Sequence, residues 1–256
     1  MSLHRFFLTA PLSDDAERAL PLSESDTRHA AGALRVSAGE LIEVVEPGGS
    51  VWRVRVTDAT THAIHAELVE QVARRAVCEP HVTLFQGVAK GEKMDDIARQ
   101  AVEVGAERIV PVFTERTVVK LVGRKAVERA ERWRRIAESA AKQSHCDRVP
   151  EVDDPVDLSR SRAMLAEFDC VLVLWEEQEA GSPRDALAEC AAGPDARVAL
   201  VVGPEGGLSA EEVAALRADG AHVVSLGARI LRTETAAVVG LALTLAALGG
   251  LGSDRP

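Results

Sequence analysis

From His81 onward, short uncharged runs alternate with segments of helical period. "HVTLFQGVA" is followed by "EKMDDIARQAVEVGA", in which Met94, Ile97, Ala98, Ala101 and Val104 share one helical face and Gly105 stops the helix. "ERIVPVF" is the next strand, and "AVERAERWRRIAESAAKQ" is an amphipathic helix with Ala130, Trp133, Ile136, Ala137 and Ala140 on one side. "DCVLVLWEE", "RVALVVG" and "AHVVSLG" are further strands, separated by helices at 183–191 and 209–219 and followed by a final helix over 234–248. Strands with no polar face, alternating with helices, fit only a parallel sheet covered on both sides. The fold class is therefore α/β.

The first 75 residues follow another rule. "ELIEVVEPGGSVWRVRVTDATTHAIHAELVE" reads as three strands, with "EPGGS" as a hairpin turn, and Trp52, Val54 and Val56 alternate with Arg53 and Arg55. "HRFFLTA" alternates weakly, and "SESDTRHAAGALRVSAGE" predicts a short helix ending near Gly39. These segments suggest a small β-barrel-like domain over residues 1–75, a boundary in "QVARRAVCEP", and an α/β domain over 76–256.

Several function classes recede on composition. "MSLHRFFLTAPLSDD" lacks the apolar core of a signal peptide, and "AAVVGLALTLAALGGLG" is too short and too glycine-rich for a span, so a buried helix and no membrane partner are expected. The four cysteines make no CxxC pair and the seven histidines no metal-ligand spacing, so a reduced cytoplasmic protein without metal is the simplest reading. The net charge of −10 is uneven: residues 81–148 carry 14 basic against 10 acidic side chains, enough for a local polyanion-facing patch or simply a solvated helical face.

Ligands of open α/β sheets sit beyond the carboxyl ends of strands. Three such ends are unusual: "LWEE" at 174–177, "VVGPEGG" at 201–207 and "SLGARILRTET" at 225–235. The second has neither the lysine of a phosphate-binding loop nor the GxGxxG of a dinucleotide site. Its glycines permit close backbone approach, and "SAEE" after it fits a capping box with Ser209 as N-cap. A plain strand-to-helix turn remains the other reading of this loop taken alone. The third end places Arg232, Thr233, Glu234 and Thr235 where an apolar helix begins, and capping by Thr233 or Thr235 leaves Arg232 unexplained.

"GPEGGLSAEE" followed by "LGARILRTETAA" resembles the motif pair of the small-subunit ribosomal RNA uracil-N3 methyltransferases (RsmE type) of the knotted SPOUT superfamily. "HRFF", "ALRVSAGE", "QGVAKGEKMDDIARQAVEVGAERIVP", "ERWRRIAESAAKQS" and "RVPEV" resemble that family's other blocks in order, so the likeness covers nearly the whole chain. One departure is Cys146 in "KQSHCDRVP", where the family often has arginine; Arg148 follows two residues later.

The resemblance implies a PUA-like β-barrel that docks RNA and a trefoil-knotted α/β methyltransferase domain, assembled as a homodimer. It implies S-adenosylmethionine held by Leu174, Gly203, Pro204, Glu205, Gly206, Gly207, Leu226, Gly227, Ile230, Leu231 and Arg232, and no metal. It implies methyl transfer to N3 of a uridine of 16S ribosomal RNA in the small subunit. Arg232 would stabilise charge on the uracil oxygens, and Glu205 or Glu234 would be the base. Arg5, Arg28, Arg35, Lys90, Lys93 and Arg148 are the implied RNA contacts. Ribose 2′-O methylation and a non-catalytic RNA-binding assembly factor are the rival readings.

Overall fold

The computed structural model describes residues 3–13, 17–72, 80–119, 123–177 and 181–252. Two compact units emerge: Met1–Ala76 with Ala141–Val149, and Val77–Ala140 with Pro150–Pro256. The sequence boundary at 75/76 falls in 73–79, outside the described residues.

The first unit is built on strands β1 (Arg5–Phe7), β2 (Glu17–Ala19), β3 (Leu41–Val45), β4 (Val51–Ala59) and β5 (Ile64–Gln71). They form one sheet in the order β1-β3-β4-β5-β2, antiparallel except for β1 beside β3. Alternation decides which side is buried: Ile42 and Val44 of β3, Val54 and Val56 of β4, and Ile64 and Ala66 of β5 meet Phe6, Leu8 and Leu20 in a closed apolar cluster. The main-chain N–H of Thr9 donates to Pro21 O at 2.8 Å, joining the segments that follow β1 and β2. Helix α1 (Glu24–Arg28) starts at Ser23, whose hydroxyl accepts from Asp26 N, and it runs on as a π-helical turn to Ala33.

The second unit is an all-parallel sheet of β6 (His81–Gly87), β7 (Arg108–Phe113), β8 (Glu151–Val152), β9 (Val156–Asp157), β10 (Cys170–Leu174), β11 (Arg197–Val202) and β12 (His222–Val224). Its path is β12-β10-β11-β6-β7-β8, and β9 also pairs with β7. The connections are α2 (Lys93–Val104), α3 (Arg124–Gln143), α4 (Leu158–Leu165), α5 (Pro183–Glu189), α6 (Ala210–Ala218) and the closing α7 (Thr233–Ala247). Met94, Ile97, Ala98 and Ala101 of α2 are fully buried, as are Ala130 and Ala137 of α3, while Trp133 is all but buried. Gly105 ends α2 in a left-handed conformation. Ser209 caps α6, and Glu212 returns the bond in a capping box. The last turn of α3 belongs to the first unit, where Lys142 Nζ meets the Asp26 carboxylate at 2.6 Å.

The reading of four reduced thiols needs correction. Cys170, opening β10, and Cys190, closing α5, form a disulfide with Cα atoms 5.8 Å apart. Spacing in sequence could not reveal this pair, because a sheet strand and a surface helix bring it together. No described helix is long and apolar enough to cross a membrane.

Candidate functional site

The strand order places β12, β10 and β11 side by side, so the three unusual strand ends meet. Beyond Leu174, Val202 and Val224 lies a cavity of about 850 Å³. Its wall includes Leu174, Gly203, Pro204, Glu205, Gly207, Leu226, Gly227, Ile230, Leu231 and Arg232, ten of the eleven residues expected around a cofactor. Gly206 is off the wall; its carbonyl accepts from Arg116 Nη1 at 3.0 Å.

Backbone crowding explains two glycines. A Cβ at Gly203 would lie 2.7 Å from Gly207 C and 2.9 Å from Leu208 N, so the loop folds directly over it. Gly207 has φ +69°, and a Cβ there would run into the Glu176 carboxylate. The loop is anchored from beneath. Thr233 Oγ1 donates to Gly203 O at 2.7 Å, and Gln86 Nε2 donates to Thr233 Oγ1 at 2.9 Å and to Gly203 O at 3.3 Å. Thr233 therefore does not cap α7; Arg232 holds the N-cap position and makes no side-chain cap bond.

The cavity wall suits a ligand recognised by main-chain groups. No hydrogen bond among the described residues occupies the N–H groups of Leu226, Ala228, Ile230 or Leu231. The indole N–H of Trp175 is buried on the same wall without a partner among them. An unpaired buried donor is costly and calls for an acceptor. Ile230 is 84 % exposed, an apolar side chain held over the cavity mouth.

Of the three proposed catalytic residues, Arg232 and Glu205 line the cavity and Glu234 does not. Glu234 Oε2 is buried, has no hydrogen-bond partner among the described residues, and lies 3.6 Å from Lys93 Nζ. Lys93 Nζ is also 3.4 Å from Glu205 Oε1, and that oxygen accepts from Lys90 N at 3.1 Å. Lys93, expected among the phosphate contacts, is thus part of the cavity wall between two carboxylates.

The other expected RNA contacts separate into two kinds. Arg28 is exposed, 3.6 Å from Glu24, and Arg35, Lys90 and Arg148 are exposed as well. Arg5 is a correction. Its side chain is only 7 % exposed and is spent internally: on Glu43 at 2.7 Å, on Asp147 at 3.0 Å, and on the carbonyls of His145 and Cys146. A buried guanidinium committed to two carboxylates and two carbonyls is a structural contact within this unit, not an open phosphate site.

The sequence reading missed Gln86, Trp175, Glu176 and Arg116. Gln86 did carry a signal: it is the one amide in a strand buried on both faces, and such a group must find partners.

Residues 77–245 match the model of the RNA methyltransferase domain. The chain is 34 % identical over 217 residues to ribosomal RNA small subunit methyltransferase E of Mycobacterium bovis, covering 83 % of this chain and 80 % of that one. It is 28 % identical over 222 residues to the protein of the same name from Bacillus subtilis, covering 86 % and 87 %. Among solved structures, ribosomal RNA small subunit methyltransferase E from Neisseria gonorrhoeae, bound to S-adenosyl methionine, superposes with a TM-score of 0.83 at 29 % identity, covering 96 % of this chain and 98 % of that one. With the family match spanning the sheet, α7 and the cavity between them, this chain belongs to the ribosomal RNA small subunit methyltransferase E family of RNA methyltransferases.

Proposed function

We propose that this chain uses S-adenosylmethionine to methylate N3 of a specific uridine in 16S ribosomal RNA, acting on the assembled small subunit in the cytoplasm. The observation that carries this reading is the cavity at the three strand ends, lined by a crowded glycine loop and by residues whose main-chain N–H groups have no partner among the described residues. Main-chain donors and small residues suit adenosine, whose ring nitrogens need edge-on partners, and the buried Trp175 N–H supplies one more donor. In this reading Leu174, the segment 226–232 and the 203–207 loop hold the cofactor, with Gly206, bonded to Arg116, off the wall. When bound, S-adenosylmethionine supplies a methyl group on a sulfonium, and the electron pair of the broken C–S bond stays on sulfur as the methyl joins N3.

The rest of the family's architecture is carried on the same footing. The trefoil knot rests on the family likeness alone; in this chain the start of α7 is bonded to Gly203 and Gln86 at the ends of two strands. The five-stranded N-terminal sheet supports a PUA-like domain that docks RNA over residues 1–75, beside a methyltransferase domain over 76–256, with Arg28, Arg35, Lys90 and Arg148 as candidate phosphate contacts. The outer side of α7, with Leu243 46 % exposed and Ala246 exposed, supports a homodimer through that helix; a single-chain mass in light scattering at micromolar concentration would count against it.

The test is direct. Small ribosomal subunits from a strain lacking this protein, incubated with purified protein and labelled S-adenosylmethionine, should yield label in 3-methyluridine after digestion and chromatography. Label on ribose, or none despite cofactor binding, would overturn the assignment in favour of 2′-O transfer or an assembly factor respectively.

A further inference from the structure

We infer that Lys93 and Glu205 together read and deprotonate the uracil imide, and that Glu234 is a positioning residue that holds Lys93 in place. The inference rests on the uridine-N3 reading above and says which residues of the cavity act on the base.

The nucleobase sets the requirement. N3 of uracil has a single in-plane position outside the ring, and a proton occupies it. The lone pair that takes a methyl group appears there only once that proton has gone. The group that removes the proton must therefore stand beside the bound methyl donor. Two of the carboxylates discussed line the cavity, Glu205 and Glu176. Glu176 is packed against Gly207. Glu205 sits within the glycine loop itself, and its side chain is 21 % exposed. Its Oε1 is occupied by Lys90 N and faces Lys93 Nζ, so Oε2 is the oxygen left to accept.

Position then selects the partner: Arg229 and Arg232, the latter expected to stabilise the uracil oxygens, also line the cavity, but among the described residues only Lys93 is ion-paired with Glu205. Loss of the N3 proton spreads negative charge over N3 and the two carbonyl oxygens. Lys93 lies on the wall next to Glu205, with its side chain 32 % exposed. An ammonium has three N–H donors. Two carboxylates flank it, at 3.4 and 3.6 Å, and a third donor remains for a uracil oxygen. Glu234, off the wall and with its buried Oε2 facing only this cation among the described residues, holds the ammonium from behind. In the proton step the N3–H bond breaks, its electron pair stays on N3, and the proton goes to Glu205 Oε2. Lys93 keeps its own protons and balances the charge of the imide anion.

The same pair selects the base. The pairing edge of uracil reads acceptor, donor, acceptor, and an ammonium beside a carboxylate offers a donor beside an acceptor. Cytosine has a lone pair at N3, which would face the Glu205 carboxylate with no proton between them.

Single-turnover rates on small subunits, followed from pH 6 to 9.5, test this. Glu205→Gln is expected to lose about 10³-fold at neutral pH, and its rate should climb with hydroxide concentration where the wild type levels off. Lys93→Met should lose about 10²-fold and Lys93→Arg should recover most of it. Glu234→Gln should lose less than Lys93→Met and add nothing to it in the double variant. The Lys93 and Glu234 variants should bind S-adenosylmethionine in calorimetry within about threefold of wild type, since neither side chain is assigned to the cofactor, while Glu205→Gln, which lies in the cofactor loop, is compared with wild type at saturating S-adenosylmethionine. A wild-type pH profile in Glu205→Gln, a full rate in Lys93→Met, or cofactor affinity falling in step with rate in the Lys93 or Glu234 variants would each overturn the assignment. If the wild-type protein forms no 3-methyluridine, the underlying reading fails and takes this inference with it. If it does while the variants keep its profile, only the pairing fails.

Discussion

Gly203→Ala is expected to abolish cofactor binding while leaving a folded protein. The glycine is not needed for an unusual φ; it is needed because the chain returns over it. The added methyl would meet Gly207 C at 2.7 Å, Leu208 N at 2.9 Å and Gly207 Cα at 3.0 Å, all of them backbone atoms that cannot rotate away. Nor can Gly203 retreat, because its carbonyl is held by Thr233 and Gln86 and the preceding residues are registered in β11 between β10 and β6. The strain must open the 203–207 loop. Overpacking of this kind costs about 1–3 kcal/mol, which in a chain of this size lowers the melting temperature by roughly 2–4 °C per kcal/mol. Calorimetry should show S-adenosylmethionine affinity reduced at least about 100-fold, near 2.8 kcal/mol, because the displaced loop is the cavity wall. Gly206→Ala is the control. Its Cβ would press on the Arg116 side chain at 3.1 Å, and Gly206 does not face the cavity, so its affinity should stay within about threefold of wild type. Wild-type affinity in Gly203→Ala would sink the assignment of this loop.

Arg5→Ala is expected to destabilise the first unit strongly. Arg5 and Glu43 are an ion pair with both side chains under 10 % exposed, and Arg5 also gathers the 145–147 segment. Removing one member of such a pair costs about 3–5 kcal/mol, since the other is left buried with weaker company. That company is Arg53 at 3.5 Å and His145 at 3.6 Å. The pH dependence separates this role from an RNA contact. Burial alone would push the Glu43 carboxyl up, but the hydrogen bond and charge of Arg5, with His145 and Arg53, bring it below its ordinary value of 4.5. A carboxyl lowered by folding contributes stability that is complete at neutral pH and is lost as pH falls through its folded value. The wild type should therefore lose this increment only in acid below 4.5, so the gap between wild type and Arg5→Ala should be widest at pH 7 and should shrink in that acid range. Urea titrations at pH 7 and pH 3.5 measure both. A gap that stays constant would remove the Glu43 pair as its source.

These two residues also mark how far the sequence could be read. The parallel sheet was legible because its strands carry no polar face, and α6 because Ser209 and Glu212 bond each other over one local turn. The three strand ends were legible as one site once the sheet was accepted, since side-by-side strands must deliver their carboxyl ends together. Arg5 was placed among the RNA contacts by the family resemblance; a side chain held by Glu43, 38 residues on, and by the 145–147 segment, 140 and more residues on, cannot be foreseen from the residues around it. Lys93 was placed with the phosphate contacts because nothing in "KGEKMDD" shows that α2 starts beside the glycine loop and the first turn of α7. The Cys170–Cys190 pair and the Gln86 bonds are likewise products of tertiary placement, which residue spacing does not encode.

The assignment of Ala141–Val149 to the first unit has a consequence for how the chain is made. A chain emerging from the ribosome presents residues 1–76 first, Arg5 and Glu43 among them, but the His145 and Cys146 carbonyls and the Asp147 carboxylate that also bind Arg5, and the ammonium that meets Asp26, are still unsynthesised. At translation speeds of about 5–20 residues per second, the N-terminal sheet waits roughly 4–15 s for them, with Arg5 paired to Glu43 alone and Asp26 still without Lys142. The first unit to begin folding is thus completed only after the first two strands and helix α2 of the second have been delivered. Nascent chains arrested at residue 76 should accordingly be more protease-sensitive in β1 and α1 than chains arrested beyond residue 149.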